Sequence, residues 1–213
     1  MAYYRCIGVS GGVASEKFIY NVGQTAFNTG HKHTANTKIV FKARITPTSD
    51  AYQCLCGARK TNYQSNCMAF SGYFSSRKRY CYARTGNEAT TDSNLNYDDV
   101  MIFTLDGQTA TWTKADGTGS TYTLTSSGTV DGGYNPMAIF CLNQSSTEDG
   151  WESADYSYMW LFWFEIYESN VLVHRFIPAT NNNQVCLYDE VDNTYIYDLK
   201  NSGTYLRMME VIV

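Results

Sequence analysis

Proline, charge and long apolar runs are all scarce in this chain. Three prolines stand against 16 glycines among 213 residues, and Asp, Glu, Lys and Arg together make up 17%. That charge density lies below the ~25% usual for globular domains, which excludes a long solvated helix, a coiled coil or a charge-driven disordered chain. The formal net charge of −4 leaves no global pull toward nucleic acid or an anionic membrane surface, so both partner classes drop out. The longest apolar run, residues 158–164, is about a third of the ~20 residues that a membrane-spanning helix needs. Residues 1–12 hold no apolar stretch followed by a small-residue cleavage site, so a secretory signal is not expected. Seven cysteines, an odd number at irregular spacing, argue against a disulfide framework. They read as reduced, buried small apolar residues of a protein that folds in a reducing cytoplasm.

What the chain has in abundance is β-forming sequence. Hydrophobic residues reach 44% and aromatics 15%, 18 of them tyrosines. Residues 38–46 alternate Ile39, Phe41, Ala43 and Ile45 against Lys38, Lys42 and Arg44, the period-2 pattern of a half-buried strand. Asp106-Gly107 sits between two β-rich runs and marks a hairpin, because glycine supplies the positive φ of a tight turn. Asp116-Gly117 separates the next pair. Further strands are predicted over 136–142, 159–167, 171–177 (stopped by Pro178), 185–188 and 194–197, the last pair joined through a turn at 189–193. About a dozen short strands at roughly 8–12-residue spacing predict an all-β, two-sheet antiparallel sandwich. Residues 16–206 form one domain, preceded by an aromatic, glycine-containing arm at 1–15 and followed by an apolar tail at 207–213. That tail either pairs with a sheet edge or partner chain, or forms the last strand of the sandwich.

An ordered series of segments carries a resemblance. Residues 18–30, from Phe18-Ile19-Tyr20 to Gln24-Thr25-Ala26-Phe27-Asn28-Thr29-Gly30, open it. Gly57-Ala58-Arg59, Leu105-Asp106-Gly107, 139–143, Glu165-Ile166-Tyr167, Phe176-Ile177-Pro178, Leu187-Tyr188-Asp189 and Ser202-Gly203-Thr204 follow in order. The series resembles the concanavalin A-like (laminin-G-like) jelly-roll domains of gut bacteria and their bacteriophages, over nearly the whole chain. Two positions depart from that pattern: Ala26-Phe27-Asn28 stands where the family has Tyr-Ile-Asp, and His174-Arg175 where it has Arg-Asp. The resemblance implies a binding or adhesion module rather than an enzyme.

The residues themselves show no catalytic constellation. Glycoside hydrolases on this fold need carboxylates at i, i+2 and i+4 of one strand. In 163–168 only Glu165 shares a face with Trp163 and Tyr167, and no Gly-x-Ser-x-Gly surrounds any serine. Cys54 and Cys56 would place two thiols on one strand face, without a second pair at zinc spacing. His31 and His33 could share a face of an extended segment. For calcium, the candidate oxygen ligands are Asp98, Asp99 and Asp149. The basic and aromatic stretch 77–84 reads as one polar strand face or a contact for an acidic partner.

Tryptophan and tyrosine carry the strongest signal. In the strand at 159–167, Trp160, Phe162, Phe164 and Ile166 read as the core face and Trp163, Glu165 and Tyr167 as an amphipathic face. With Trp151 and Tyr156, these three are the candidate carbohydrate-binding residues, since aromatic plates beside acids and amides hold sugars. The alternative is that a loop or second subunit covers the face. The expected function is that of a non-catalytic structural and binding protein. It is read as a bacteriophage virion surface component, a capsid decoration or head-fibre protein assembled in the host bacterial cytoplasm. Its expected partners are other virion proteins, host-surface or mucosal glycans and further copies of itself. A free-standing carbohydrate-binding module or glycoside-active protein of a gut bacterium is the other reading.

Overall fold

The computed structural model describes residues 15–21, 23–46, 52–60, 67–73, 79–84, 87–92, 99–118, 121–125, 132–200 and 206–212. Residues 1–14 of the arm read at 1–15, the calcium candidate Asp98 and residues 77–78 of the basic stretch lie outside them, and Ser15 begins the first strand. Every regular element among the described residues is a strand. The first seven are β1 (Ser15–Asn21), β2 (Phe27–Asn28), β3 (Thr37–Ile45), β4 (Tyr52–Ala58), β5 (Met68–Tyr73), β6 (Arg79–Arg84) and β7 (Asn87–Asp92). Next come β8 (Met101–Asp106), β9 (Thr109–Lys114), β10 (Tyr122–Thr125), β11 (Ala138–Ile139), β12 (Leu142–Asn143) and β13 (Ser153–Ala154). The last are β14 (Met159–Glu168), β15 (Val171–Asn181), β16 (Gln184–Asp189), β17 (Thr194–Ile196) and β18 (Leu206–Ile212).

They form two sheets. The larger runs β10-β9-β8-β3-β14-β15-β16-β17, with β1 bridging β14 and β18; the smaller runs β13-β12-β4-β5-β6-β7, with β2 and β11 added beside β4. Nearly all pairings are antiparallel. The chain crosses between sheets after β1, β2, β3, β7, β10 and β13, and β3 lies between β8 and β14, strands distant in sequence. The protein is an all-β two-sheet sandwich. The segment 207–213, read from sequence as a tail or a last strand, falls up to Ile212 in strand β18 (Leu206–Ile212), which pairs with β1 along its whole length.

Between the sheets lies the core. Phe41, Phe103, Phe164, Leu161 and Leu105 from the larger sheet meet Leu55, Phe70, Met68 and Ile139 from the smaller one. Phe41 stacks on Phe103 (centroids 4.8 Å apart) and on Phe164 (5.5 Å), and Phe70 closes edge-on against Phe103 (5.1 Å) and Trp112 (5.8 Å). Burying these rings removes on the order of 150–250 Å² of surface each from water, the main favourable term here.

Three sequence expectations change. The predicted strand over 136–142 splits into β11 and β12, because Phe140 sits at φ 70° and turns the chain between them. Pro178 does not stop β15, which continues to Asn181. The β14 pairing ends at Phe164↔Phe176, so Pro178, which has no N–H to give, lies beyond it. Cys54 and Cys56 do not share a face. A bulge between them lets Leu55 and Cys56 both enter the core, while Cys54 packs with Cys67, Ala69 and Leu142 on the other side of the sheet.

At one mouth of the sandwich Glu168 ties the end of β14 to the segment before β3. Its carboxylate accepts hydrogen bonds from the hydroxyls of Thr34 (2.6 Å) and Thr37 and shares one with His31 Nε2 (2.9 Å). Burial raises its proton affinity, yet the three partners hold the carboxyl below its ordinary value. His33 is buried, and His31 is taken up by Glu168 and by the His174 ring.

Candidate functional site

β14 carries the candidate site, and a bulge decides which of its residues face outward. Leu161 pairs with Ala43 and Trp163 with Lys42, leaving Phe162 as the extra residue. Met159 and Leu161 face the core before it, and Phe164 and Ile166 after it. Trp160, Phe162 and Trp163 therefore all lie on the outer face, in a cluster with Phe18, Tyr20, Val100, Met209 and Val211. The expectation that Trp160 and Phe162 share the core face with Phe164 and Ile166 is thus corrected. The extra residue reverses the alternation midway along the strand.

Cations from β3 cover this aromatic surface. The Arg44 guanidinium sits 4.4 Å from the Trp160 ring centroid, Lys42 Nζ 5.0 Å from Phe162, and Lys38 Nζ 5.2 Å from Tyr167. Phe18 stacks on Trp160 at 4.4 Å. The cations bury these rings on the outer face, Trp160 and Phe162 being 9% and 3% exposed, and Lys42 is itself paired with Glu16.

Beside Phe162 the surface opens into a pocket of about 320 Å³. Phe162, Val100 and Val211 give it an apolar lining, and Glu16, Lys42, Asp99, Lys114 and Asp116 bring charged groups to it. Lys42 Nζ lies 2.5 Å from Glu16 Oε2, and Lys114 Nζ 2.9 Å from Asp99 Oδ2. The backbone N–H and hydroxyl of Thr118 donate to Asp116 Oδ1 and hold its carboxyl below the ordinary value. Fixed donors and acceptors around an apolar wall are the ordinary make-up of a small-molecule site.

The residues singled out from sequence fall into separate places. Trp163, Glu165 and Tyr167 do share the outer face of the larger sheet. The Tyr167 hydroxyl donates to Glu165 Oε2 (2.7 Å), which keeps its own proton on more tightly, and Arg175 Nε approaches Glu165 Oε1 at 3.5 Å. Glu165 is thus held by two neighbours. Trp151 and Tyr156 instead pack on Ala26, Ala138 and Cys141. Ala138 precedes the core residue Ile139 in β11, so this cluster lies on the outer face of the smaller sheet. The structure does not bring these two groups together. Among the calcium candidates, Asp99 pairs with Lys114 and Asp149 with Lys32 (2.9 Å), so each faces a cation.

Sequence reading missed Glu16, Lys42, Lys114, Asp116 and Val211 as pocket residues, and placed Phe162 inside. The signal available was slight: Lys42 on the polar face of β3 and Asp116 in its Asp-Gly turn. Beyond β14 the outer face carries a further aromatic row. Tyr188 and Tyr195 pair across β16 and β17 with ring centroids 4.9 Å apart, the Tyr188 hydroxyl donates to Asn193 Oδ1 (2.9 Å), and Asn181 Nδ2 donates to the Tyr197 hydroxyl (2.6 Å). Tyr195 is 43% exposed and Tyr197 36%.

No protein-family model matches the chain, and no curated protein matches it.

Proposed function

We propose that the chain is a non-catalytic, lectin-like binding protein of the concanavalin A-like type. It serves as a surface component of a bacteriophage virion and holds a saccharide at the outer face of its larger sheet. The observation that carries this reading is the pocket beside Phe162. An apolar wall offers a surface for the C–H face of a sugar ring, and ammonium donors stand beside carboxylate acceptors for its hydroxyls. Trp163 and Tyr167 of β14 and the Tyr188–Tyr195 pair lie on the same outer face. Assembly in a reducing cytoplasm is supported by Cys54, Cys56, Cys141 and Cys186, buried and not joined in disulfides.

The test is isothermal titration of the full chain against a broad panel of oligosaccharides. At least one should give saturable heat. Lys114→Gln should weaken that binding about tenfold or more, the worth of one hydrogen bond from a charged donor. Trp163→Ala, which removes the ring packed beside Phe162, should weaken it as well. No heat from any sugar would overturn the binding half of the proposal. Light scattering with assembled particles addresses the other half: a chain that binds sugar and ignores the particles is a free-standing module instead.

A further inference from the structure

The mouth of the sandwich between β15 and the turn that follows β16 holds a second cluster, separate from the outer-face pocket. His174 faces inward, opposite Ile166 of β14, and stacks nearly flat on Phe176 (centroids 5.5 Å apart, 12° between planes). Its Nδ1 lies 2.7 Å from Asp189 Oδ2 and 3.6 Å from Asp192 Oδ2. These three donor atoms all fall within 4.8 Å of one another. A hydrogen on Nδ1 can point at only one of the two carboxylates, so the second oxygen is not explained by a simple His–Asp hydrogen bond.

Asp189 is built into its place. It is 2% exposed, and its Oδ1 accepts the backbone N–H groups of Arg175 (3.0 Å) and Val191 (3.1 Å). That leaves Oδ2 directed at the imidazole. The neighbouring acid Glu190 is turned away onto Arg175 Nε at 3.2 Å, and its own N–H donates to the Arg175 carbonyl (2.9 Å), which fixes the start of the turn. Asp192, 57% exposed on its side chain, closes the cluster on the solvent side. On the protein side stands the His31 ring, edge-on to His174 at 5.5 Å and bonded to Glu168.

We propose that His174, Asp189 and Asp192 bind one divalent transition-metal ion of borderline softness, such as zinc or cobalt(II). Cis ligands on such an ion stand about 3.0–3.4 Å apart when each bond is ~2.1 Å, and the two separations from Nδ1 bracket that range. The imidazole nitrogen disfavours calcium and magnesium, which take oxygen donors, and two carboxylates supply the charge that a divalent ion needs. The ligand form is the neutral ring with its hydrogen on Nε2: an imidazolium reaches it by releasing the Nδ1 proton to solvent, a neutral Nδ1–H ring by losing that proton while Nε2 takes one from water, and the Nδ1 lone pair then binds the ion. Three protein ligands and one solvent-facing side leave room for water to complete the shell. The ion would clamp β15 to the β16–β17 turn.

The test uses the untagged full chain, stripped of metal by chelator and dialysed, with cobalt(II) chloride and then zinc chloride as the probes. Cobalt(II) should bind one equivalent and give visible d–d absorption without a thiolate charge-transfer band in the near ultraviolet, and zinc should displace it. Asp192→Asn changes only an exposed turn residue and should keep the wild-type melting temperature without metal. It and His174→Gln should each weaken binding by at least about tenfold. Excess calcium should not displace cobalt. Absence of saturable binding at millimolar metal, a thiolate band, displacement by calcium, or undiminished affinity in Asp192→Asn would each overturn the proposal.

Discussion

Raising the pH should destabilise the fold through its buried thiols, and Cys56 sets the size of the effect. Burial in the core pushes its thiol from the ordinary 9.0 up to about 12, with a small opposing contribution from a hydrogen bond to the backbone of Phe70. In the unfolded chain the same thiol ionises above 9.0. Between those values the folded state holds a proton that the unfolded state has released. Stability from this group is therefore complete below 9.0 and is lost as pH climbs toward 12. At the limiting slope of about 1.4 kcal/mol per pH unit, moving from pH ~8 to pH ~10.5 should remove about 2 kcal/mol through Cys56 alone. Cys54 and Cys141, whose thiols burial also raises, act in the same direction. Tyr167, whose proton is also held more tightly in the folded chain, adds a background, so the informative quantity is a difference. Urea unfolding in reductant should be followed for wild type and Cys56→Ala across this range. The variant should start less stable and lose less, the two curves converging by about 2 kcal/mol at the alkaline end. Parallel curves would refute the reasoning, since they would mean that the Cys56 thiol ionises alike in both states.

Other perturbations probe the frame. Gly57 lies at φ 151°, and a Cβ there would stand 2.5 Å from Ala69 Cβ and 2.6 Å from Ala69 Cα and the Met68 carbonyl oxygen, so Gly57→Ala should cost about 3 kcal/mol or more in urea unfolding. Phe41→Ala removes the ring that touches Phe103, Phe164 and Phe70 and should cost about 3–5 kcal/mol, with a loss of near-ultraviolet circular dichroism. Glu168→Leu leaves His31, Thr34 and Thr37 without their shared acceptor and should cost about 1–3 kcal/mol; hydrogen exchange should speed first in the backbone of 31–37.

Part of the architecture was legible because β3, β8 and most of β9 alternate buried and half-buried residues. β3 reads buried and half-buried in turn from Thr37 to Ile45, as its sequence does, and the Asp-Gly turn at 106–107 opens with Gly107 at φ 55°. What was not legible lies where one residue is inserted or where the backbone takes an uncommon conformation. The bulge at Cys54–Cys56 separates two thiols that an i, i+2 count puts together. Phe140 at φ 70° breaks a run that every propensity favours as one strand. The His174, Asp189 and Asp192 cluster depends on the register of β15 against β16 and on the course of the following turn, neither of which composition reveals.

The bulge in β14 shows why the outer-face site was hidden in a strand whose existence was plain. Residues 159–164 are Met-Trp-Leu-Phe-Trp-Phe, apolar on both faces, so hydrophobic pattern alone specifies no parity there. Parity is set outside that stretch. In the C-terminal half, Glu165 alternates with Phe164 and Ile166, and a carboxylate is excluded from an apolar core, which sends the even-numbered residues inward. In the N-terminal half, Met159 and Leu161 are the core residues, while the flat Trp160 ring lies outside under Arg44 and against Phe18. Odd residues inside at one end and even residues inside at the other require one extra residue between them. Phe162 is that residue, set with Trp163 opposite the single position Lys42. The same insertion that satisfies both halves of the core therefore turns two adjacent aromatic side chains to the outer face of the sheet, and one of them, the buried Phe162, lines the pocket that the proposed saccharide fills.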